Sequence, residues 1–266
     1  SQVITFIGTN VDNILVGTLL GPTELGRYAL AYQLVNMPCQ VLGGIHYAIM
    51  PAVAESHRKG QRPEGLYVGS LRMILLIIVP ALTGLALTSD LIIKLALTDA
   101  WRGTAGLIAL LTPFGIVQMV FVLNSAMVIG LGRTDVEFQI SVVRALFLLV
   151  GISAGLAFGS AGIAAGVSAG TVLSGVVCTY YALQTSGFSK VKSAAQTIGP
   201  LLASGMMIPG IIVLRTALTD RTSTLLDFAI CVLIGVIIYI GMLAFLSGAT
   251  FRADVLAVRR LIFARR

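Results

Sequence analysis

The chain has 266 residues, of which 57% are apolar and only 11% are charged, and its mean hydropathy is +0.96. A soluble domain carries about 25% charged residues, so this composition excludes that class. Intrinsic disorder, which needs low hydrophobicity and high charge, is excluded as well. A collagen or disulfide scaffold is excluded because the chain has no glycine triplet repeat and only three cysteines. The class that remains is a polytopic membrane protein.

The net charge of +7 favours basic cytoplasmic loops over nucleic-acid binding, because no basic groove interleaved with aromatic residues is present. The cysteines lie within apolar stretches and lack metal-ligand spacing, so we expect buried thiols and neither a metal nor a cofactor: Cys39, Cys178 and Cys231. The chain begins at Ser1 with no charged segment and cleavage site before the first apolar run, which predicts no signal peptide. We expect the chain to be part of something longer.

Eight apolar segments reach the length of about 20 residues that crosses a bilayer, which predicts an all-α membrane bundle. They cover residues 2–20, 26–50, 68–88, 104–130, 137–158, 161–184, 194–216 and 225–247. The second span contains Pro38, where we expect a kink. The short, charged segment 91–103 is expected on the outer membrane interface. We divide the chain into a helical lobe, residues 1–250, and a basic cytoplasmic tail, residues 251–266, which either binds the inner leaflet or only fixes topology.

The distribution of loop charges predicts the orientation of the bundle. Most basic residues fall on one side, which carries Arg58, Lys59, Arg62, Arg133, Lys190, Lys192, Arg252, Arg259, Arg260, Arg265 and Arg266. Fewer fall on the other, which carries Arg27, Lys94, Arg102, Arg215 and Arg221. By the positive-inside rule the richer side is cytoplasmic, and an even number of spans then places both termini there.

Two glycine ladders predict one tight helical hairpin. Glycines recur every fourth residue at positions 151, 155 and 159 of the fifth span and at positions 162, 166 and 170 of the sixth. Each ladder lies along one helix face, because four residues are close to one turn. Such faces let two backbones approach closely in lipid, with a turn expected near Ser160.

Polar residues within the first two spans predict surfaces that do not face lipid. Asp12 and Asn13 share one arc of the first helix, and a carboxylate at the bilayer centre costs about 2.5–3.5 kcal/mol on insertion scales. On the second span one arc carries Tyr32, Gln33, Asn36, Gln40 and Tyr47. Either these side chains bond between helices, or they line a wet cavity that binds a hydroxyl-rich ligand such as a sugar.

Arg144 lies about two turns into the fifth span and shares a face with Glu137, Ser141 and the glycine ladder. We expect that face to pack inward. Arg144 is then either a structural residue, paired with Glu137 or anchored at the inner mouth, or a cationic site that binds phosphate in a bidentate manner. Secondary candidates are Arg27, Gln118, Asn124 and Gln139. No catalytic motif is present, so the sequence does not predict an enzyme.

The residues from Asn10 to Glu55 carry a resemblance to a known family. The order D-N-I-L-V-G, L-L-G, L-G-R-Y-x-L-A-Y, a proline within the helix, and M-P-A resembles the polysaccharide exporters and O-antigen flippases of the Wzx type. The motif D-A-W-R-G-T-A at residues 99–105 resembles the external segment before the tenth helix of that family, and G-L-G-R-T-D at residues 130–135 resembles its next inner loop. The chain thus resembles helices 7–14, the C-terminal lobe.

The resemblance implies export of a lipid-linked oligosaccharide across the bacterial inner membrane by alternating access, with no bond broken. It implies polyprenyl-diphosphate-linked oligosaccharide and membrane lipid as ligands. It also implies, as a protein partner, an N-terminal lobe or polysaccharide-assembly proteins. The polar faces and the inward arginine described above agree with this, and they give as candidate substrate-binding residues Asp12, Asn13, Tyr32, Gln33, Asn36, Gln40 and Arg144. Two alternatives stay open: a cation-coupled drug or small-solute extruder that uses Asp12, and a membrane scaffold of a polysaccharide-synthesis complex that does not transport.

Overall fold

The computed structural model describes the backbone of residues 2–218 and 224–263, and the side chains of residues 11–216 and 224–246. Within these residues the regular structure is entirely helical, as predicted. The α-helices are α1 Gln2–Leu20, α2 Pro22–Gly43, α3 Ile45–Arg58, α4 Glu64–Ala96, α5 Thr104–Gly130, α6 Thr134–Gly155, α7 Gly159–Ser186, α8 Lys190–Leu218 and α9 Thr224–Phe263. Short 3-10 turns at Asp99–Trp101 and Leu156–Phe158 precede α5 and α7.

Five helical stretches of the described chain are long and apolar enough to cross a membrane: Glu64–Ala96, Asp99–Gly130, Thr134–Ser186, Lys190–Thr216 and Thr224–Leu246. The third contains both α6 and α7. Their outer surfaces are apolar, and on α6 the exposed residues recur at helical spacing: Phe138, Val142, Leu146 and Val150. A bundle in water would bury such a stripe, whereas a lipid bilayer solvates it.

The predicted second span, residues 26–50, contains an interruption that the sequence analysis did not predict, and its second part continues to Arg58. The break lies at Gly44, between α2 and α3, and Pro38 stays inside α2. Paired glycines at 43 and 44 make this the weakest point of the backbone, because glycine has the least intrinsic preference for a helix and leaves no side chain to hold the turn. The break separates the polar residues of α2 from His46 and Tyr47, which begin α3.

The segment at residues 91–103 is also organised differently from the prediction. Its first half continues α4 as far as Ala96, with Leu91 and Ile93 buried against the bundle. Only the second half forms a separate short turn, Asp99–Trp101. The periodic leucines and isoleucines extend the apolar face of α4, and Lys94 on the other side of the helix does not interrupt it. At the other end of the chain, α9 continues past residue 250 to Phe263.

Two apolar cores hold the bundle together. The larger one surrounds α5, which packs against α2, α3, α4 and α7 and is buried on most of its faces. The smaller one joins α8 and α9 to the outer face of α4 through residues such as Ala203, Met207 and Cys231. The helical pair α8–α9 is therefore attached to the rest of the described bundle mainly through α4.

The three cysteines are free and buried, as expected.

The glycine ladders form the predicted antiparallel hairpin of α6 and α7. A methyl group on Gly151 would lie 2.1 Å from the carbonyl oxygen of Gly166, and one on Gly155 would lie 2.2 Å from that of Gly162. These separations are far below van der Waals contact, so only glycine fits at the crossing. The turn comprises Leu156–Phe158 and Gly159, whose φ of 69° favours glycine.

Polar contacts assign the helix connections to two ends of the bundle. At one end, which we call the Glu24 end, Ser160 Oγ donates to Glu24 Oε2 at 2.5 Å. At the opposite end, the Glu64 end, the Ser189 amide donates to Glu64 Oε1 at 3.2 Å, and Arg133 donates to the carbonyl of Thr185. For the connections described here, between α2 and α8, the helices thus place Arg58, Lys59, Arg62, Arg133 and Lys190 at the same end, as the distribution of charges predicts.

Two motifs that are far apart in sequence meet at the Glu24 end. Arg27, from L-G-R-Y, donates through Nε and Nη2 to the carbonyl oxygen of Ala100, from D-A-W-R-G-T-A, at 3.0 and 2.8 Å. The ring of Trp101 lies against Gly26. Arg27 also pairs with Glu24 at 2.8 Å, and Glu24 accepts from Ser160. Arg27 is thus an anchor that joins the start of α2 to the α4–α5 connection and the α6–α7 turn.

Replacing Gly166 by alanine should disrupt the α6–α7 hairpin. The added methyl group meets a backbone carbonyl that cannot turn away, so we expect a loss of about 3 kcal/mol, the upper part of the usual range for overpacking. Thermal unfolding of the purified protein in detergent measures this loss. Gly205→Ala on α8 is the matched control, because nothing lies within 4 Å of its added methyl group. Equal unfolding temperatures for the two variants would contradict the hairpin packing.

Candidate functional site

The carboxylate of Asp12 is buried between α1 and α2. Its Oδ2 accepts a hydrogen bond of 2.8 Å from the hydroxyl of Tyr28, and the residue is 4% exposed. Tyr28 itself is completely buried. The neighbouring Asn13 has a buried Oδ1 with no hydrogen-bond partner among the described residues. The polar face predicted for α1 thus turns into the bundle, where Asp12 joins two helices.

The polar arc predicted on α2 divides into a packed half and an exposed half. Tyr32 and Asn36 are half-buried, and Asn36 Nδ2 donates to the carbonyl of Tyr32 at 2.9 Å. The Tyr32 ring packs on Phe114 of α5, with ring centres 5.2 Å apart. Gln33 and Gln40 are exposed, two turns apart on the outer surface of α2. Their amides can bind a ligand or a neighbouring protein, whereas Tyr32 and Asn36 also support the packing of α2.

Arg144 points from α6 toward α5, which confirms the inward direction predicted for its face. Its Nη2 donates to Gln118 Oε1, and its guanidinium carbon lies 4.6 Å from the centre of the Phe121 ring. Gln118 and Phe121 are one turn apart on α5, so a single helix face holds the guanidinium group by a hydrogen bond and a cation–π contact. These two partners leave other N–H donors of the planar group able to bind an anion.

A cavity of about 330 Å³ adjoins Arg144, toward the Glu64 end of the bundle. Helices α3, α5 and α6 and the end of α2 line it, and it is open to the surface beside the exposed ring of Tyr47. Its lining residues are Gly43, His46, Tyr47, Phe121, Val122, Ser125, Glu137, Ile140, Ser141 and Arg144. The volume suits one polar headgroup rather than a whole oligosaccharide. The cavity combines a guanidinium group with two serine hydroxyls, an imidazole and one carboxylate, a set that binds anionic and hydroxylated groups.

Tyr32 connects the two charged positions. It interacts electrostatically with Asp12 on one side and with Arg144 on the other. The rings of Tyr28 and Tyr32 are stacked with centres 6.3 Å apart. A chain of polar side chains therefore runs from α1 through α2 to the cavity beside α6. Asp12, Asn13, Tyr32, Asn36 and Arg144 belong to this chain or border it, while Gln33 and Gln40 face outward.

The secondary candidates have defined places in the packing. Gln118 holds Arg144, so it belongs to the site. Asn124 is completely buried: its Oδ1 accepts from Tyr67 at 2.8 Å and its Nδ2 donates to Thr179 at 2.9 Å, which joins α4, α5 and α7. Gln139 accepts from Tyr181 on the exposed surface of the α6–α7 pair. Asn124 and Gln139 thus stabilise helix contacts.

Four polar or aromatic residues of the site were missed by the sequence analysis: Tyr28, His46, Phe121 and Ser125. Tyr28 lies four residues before Tyr32, and that spacing on a helix would have added it to the polar arc. His46 has no partner residue at a metal-binding spacing in the sequence, yet it lines the cavity and its Nδ1 lies 3.4 Å from the carbonyl of Val122. No sequence signal predicted that position, because it depends on the break at Gly44.

The fold and the apolar surface define the chain as a multi-pass helical membrane protein. A family profile described as "Polysaccharide biosynthesis protein" matches residues 1–106. The chain is 27% identical over 154 residues to the teichuronic acid biosynthesis protein TuaB of Bacillus subtilis (strain 168), a match that covers 58% of this chain and 32% of that protein. It is 24% identical over 164 residues to the lipopolysaccharide biosynthesis protein WzxC of Escherichia coli (strain K12), covering 61% of this chain and 33% of that protein.

The solved structure of the lipid II flippase MurJ, in an inward closed conformation, matches 92% of this chain with a TM-score of 0.74 and 19% identity, and the match covers 51% of that structure. The matches to curated relatives thus cover about a third of each relative, and the structural match about half of MurJ. Together these comparisons confirm the resemblance to the Wzx-type polysaccharide exporters and flippases, and they confirm the helical lobe as the fold.

Removing the hydroxyl of Tyr28 should destabilise the bundle. In Tyr28→Phe the buried carboxylate of Asp12 loses its side-chain donor, and leaving a buried acceptor without that hydrogen bond costs about 1–3 kcal/mol. Thermal unfolding in detergent measures the effect, and Tyr47→Phe is the control because Tyr47 is 81% exposed. Combining Tyr28→Phe with Asp12→Leu should cost less than the sum of the two single changes. Strict additivity would show that the pair does not interact.

Proposed function

We propose that this chain forms one lobe of a transporter that exports a lipid-linked oligosaccharide or polysaccharide precursor across the bacterial inner membrane by alternating access. The relatives act in polysaccharide biosynthesis or flipping, as their names state, and this supports the substrate class. The observation that carries the proposal is the cavity of about 330 Å³ beside Arg144. No covalent bond changes in this process, so the chain acts as a carrier and not as an enzyme.

The arrangement of polar groups assigns a role to each part of the substrate. The diphosphate of a polyprenyl-linked sugar fits the Arg144 cavity in size and charge, because guanidinium groups bind phosphate oxygens in a bidentate manner. The exposed amides of Gln33 and Gln40 can donate to and accept from sugar hydroxyl groups. The apolar outer stripe of α6 offers a surface for the polyprenyl chain. Asp12, Asn13, Tyr32 and Asn36 support this route from within the bundle.

A second lobe is part of the proposal. Gln33 and Gln40 lie on a helix of a membrane bundle, where exposed amides need water or another protein around them. A second helical lobe that faces α2 would provide both, with a water-filled space between the lobes. Rocking of the two lobes would then expose the route to each side of the membrane in turn.

Removing the guanidinium group of Arg144 should strongly reduce export. We expect Arg144→Ala in the complete protein to weaken substrate binding roughly tenfold or more, since a charge-assisted hydrogen bond contributes about 1.5–3 kcal/mol. The measurement is accumulation of lipid-linked oligosaccharide on the cytoplasmic leaflet of cells that carry only the variant. Arg102→Ala is the matched control, because Arg102 is exposed and pairs with Asp99 outside the cavity. Normal export by Arg144→Ala at normal protein abundance would contradict the proposal.

The proposed orientation places the Glu64 end and both termini in the cytoplasm. The end carries Arg58, Lys59, Arg62, Arg133, Lys190 and Lys192, which the positive-inside rule assigns to the cytoplasm. A reporter active only in the cytoplasm should give a signal when fused after Lys192. A reporter active only in the periplasm should give a signal when fused after Arg221. The opposite pattern would invert the topology.

A further inference from the structure

The carboxylate of Glu137 shares the Arg144 cavity and is hydrogen-bonded to Ser125 of α5 on one side only. Its Oε2 is buried and has no hydrogen-bond partner among the described residues. Glu137 and Arg144 lie seven residues apart on one face of α6, about 10 Å along the helix axis at 1.5 Å per residue. The guanidinium group is held by Gln118 and Phe121 of α5. The cavity thus contains a guanidinium group that is held in place. Two helical turns away it contains a carboxylate, and the Oε2 atom of that carboxylate accepts no hydrogen bond from the described residues.

The groups that face Glu137 come from every helix around the cavity. Helix α3 contributes His46 and Tyr47, α5 contributes Ser125, α6 contributes Arg144, and Cys178 of α7 is near enough to interact electrostatically. Glu137 is the only acidic side chain among the described residues that line the cavity. An ionised Glu137 therefore supplies the one negative charge that an incoming anion meets.

We propose that a proton on the Glu137 carboxylate controls the binding of an anion at Arg144. This inference rests on the proposed function in one respect, that Arg144 is the anion-binding group. An ionised carboxylate repels an anion that binds in the same small cavity. When the carboxylate takes a proton from solution, the repulsion ends and the neutral acid can donate a hydrogen bond to the anion. Because linkage is reciprocal, the bound anion must strengthen proton binding at Glu137 by the same factor.

Sulfate is a suitable probe, because its charge stays constant between about pH 5.5 and pH 8, so any pH dependence of binding comes from the protein. Its affinity for the purified chain in lipid nanodiscs can be measured by titration calorimetry at the two pH values in sodium-free buffer. We expect the wild-type chain to bind sulfate about tenfold more tightly at the lower pH, equivalent to about 1.4 kcal/mol. Glu137→Gln should bind equally well at both pH values, with the affinity of the wild type at low pH.

Three further variants separate the contributing groups. His46→Gln should keep the pH dependence of sulfate binding. That result would show that the proton site is not the imidazole. Glu64→Gln, a carboxylate outside the cavity, should behave as wild type. Arg144→Gln should lose sulfate binding at both pH values. If Glu137→Gln does not fold, Glu137→Ser gives the same test, because the serine side chain is also uncharged. It is smaller than glutamate and leaves more space in the cavity.

The outcomes separate this inference from the proposed function. Wild-type pH dependence in Glu137→Gln, or its loss in His46→Gln, would overturn the inference while Arg144 remains an anion site. Unchanged sulfate binding in Arg144→Gln would overturn both the inference and the role given to Arg144 in export. A wild-type chain that binds sulfate through Arg144 equally at both pH values would also overturn the inference alone.

Discussion

The structure depends on one constraint: a polar group inside an apolar bundle is stabilised only by a partner within the protein, because hydrocarbon offers none. Asp12 finds Tyr28, and Asn124 finds both Tyr67 and Thr179. Arg215, on α8, donates to Asp90 and to the carbonyl of Leu87, both on α4. Each contact joins different helices, so the polar residues of the sequence determine which helices are neighbours as much as the apolar core does.

The cavity follows from how the glycine ladders place α6. Because Gly151 and Gly155 bring the α6 backbone into contact with α7, the position of α6 is set by α7 and not by α5. Helix α5 packs along α7 and the other central helices, but it makes little direct contact with α6. The space left between α5 and α6 is where Arg144 reaches across to Gln118. The contact between the two glycine ladders is structural, and this packing creates the space for the Arg144 cavity.

Features with a local periodic signal could be predicted from the sequence. The glycine ladders predicted the α6–α7 hairpin, since four-residue spacing leaves one small-residue face on each helix. The same periodicity correctly grouped Glu137, Ser141 and Arg144 on one face, the face that lines the cavity. The partner of Asp12 could not be predicted in this way, because a helical wheel gives the direction of a side chain but not the helix that it meets. The break at Gly44 was missed because Pro38 carries the stronger local signal, although a membrane helix tolerates proline well.

The outer surface of α2 distinguishes this bundle from a simple membrane anchor. Gln33 and Gln40 are exposed there, with the large apolar residues Met37 and Val41 exposed beside them. On α6 the exposed stripe is uniformly apolar, as contact with lipid requires. A mixed surface of amides and apolar side chains is too polar for acyl chains and too apolar for bulk water. It suits a boundary between protein and a narrow wet space.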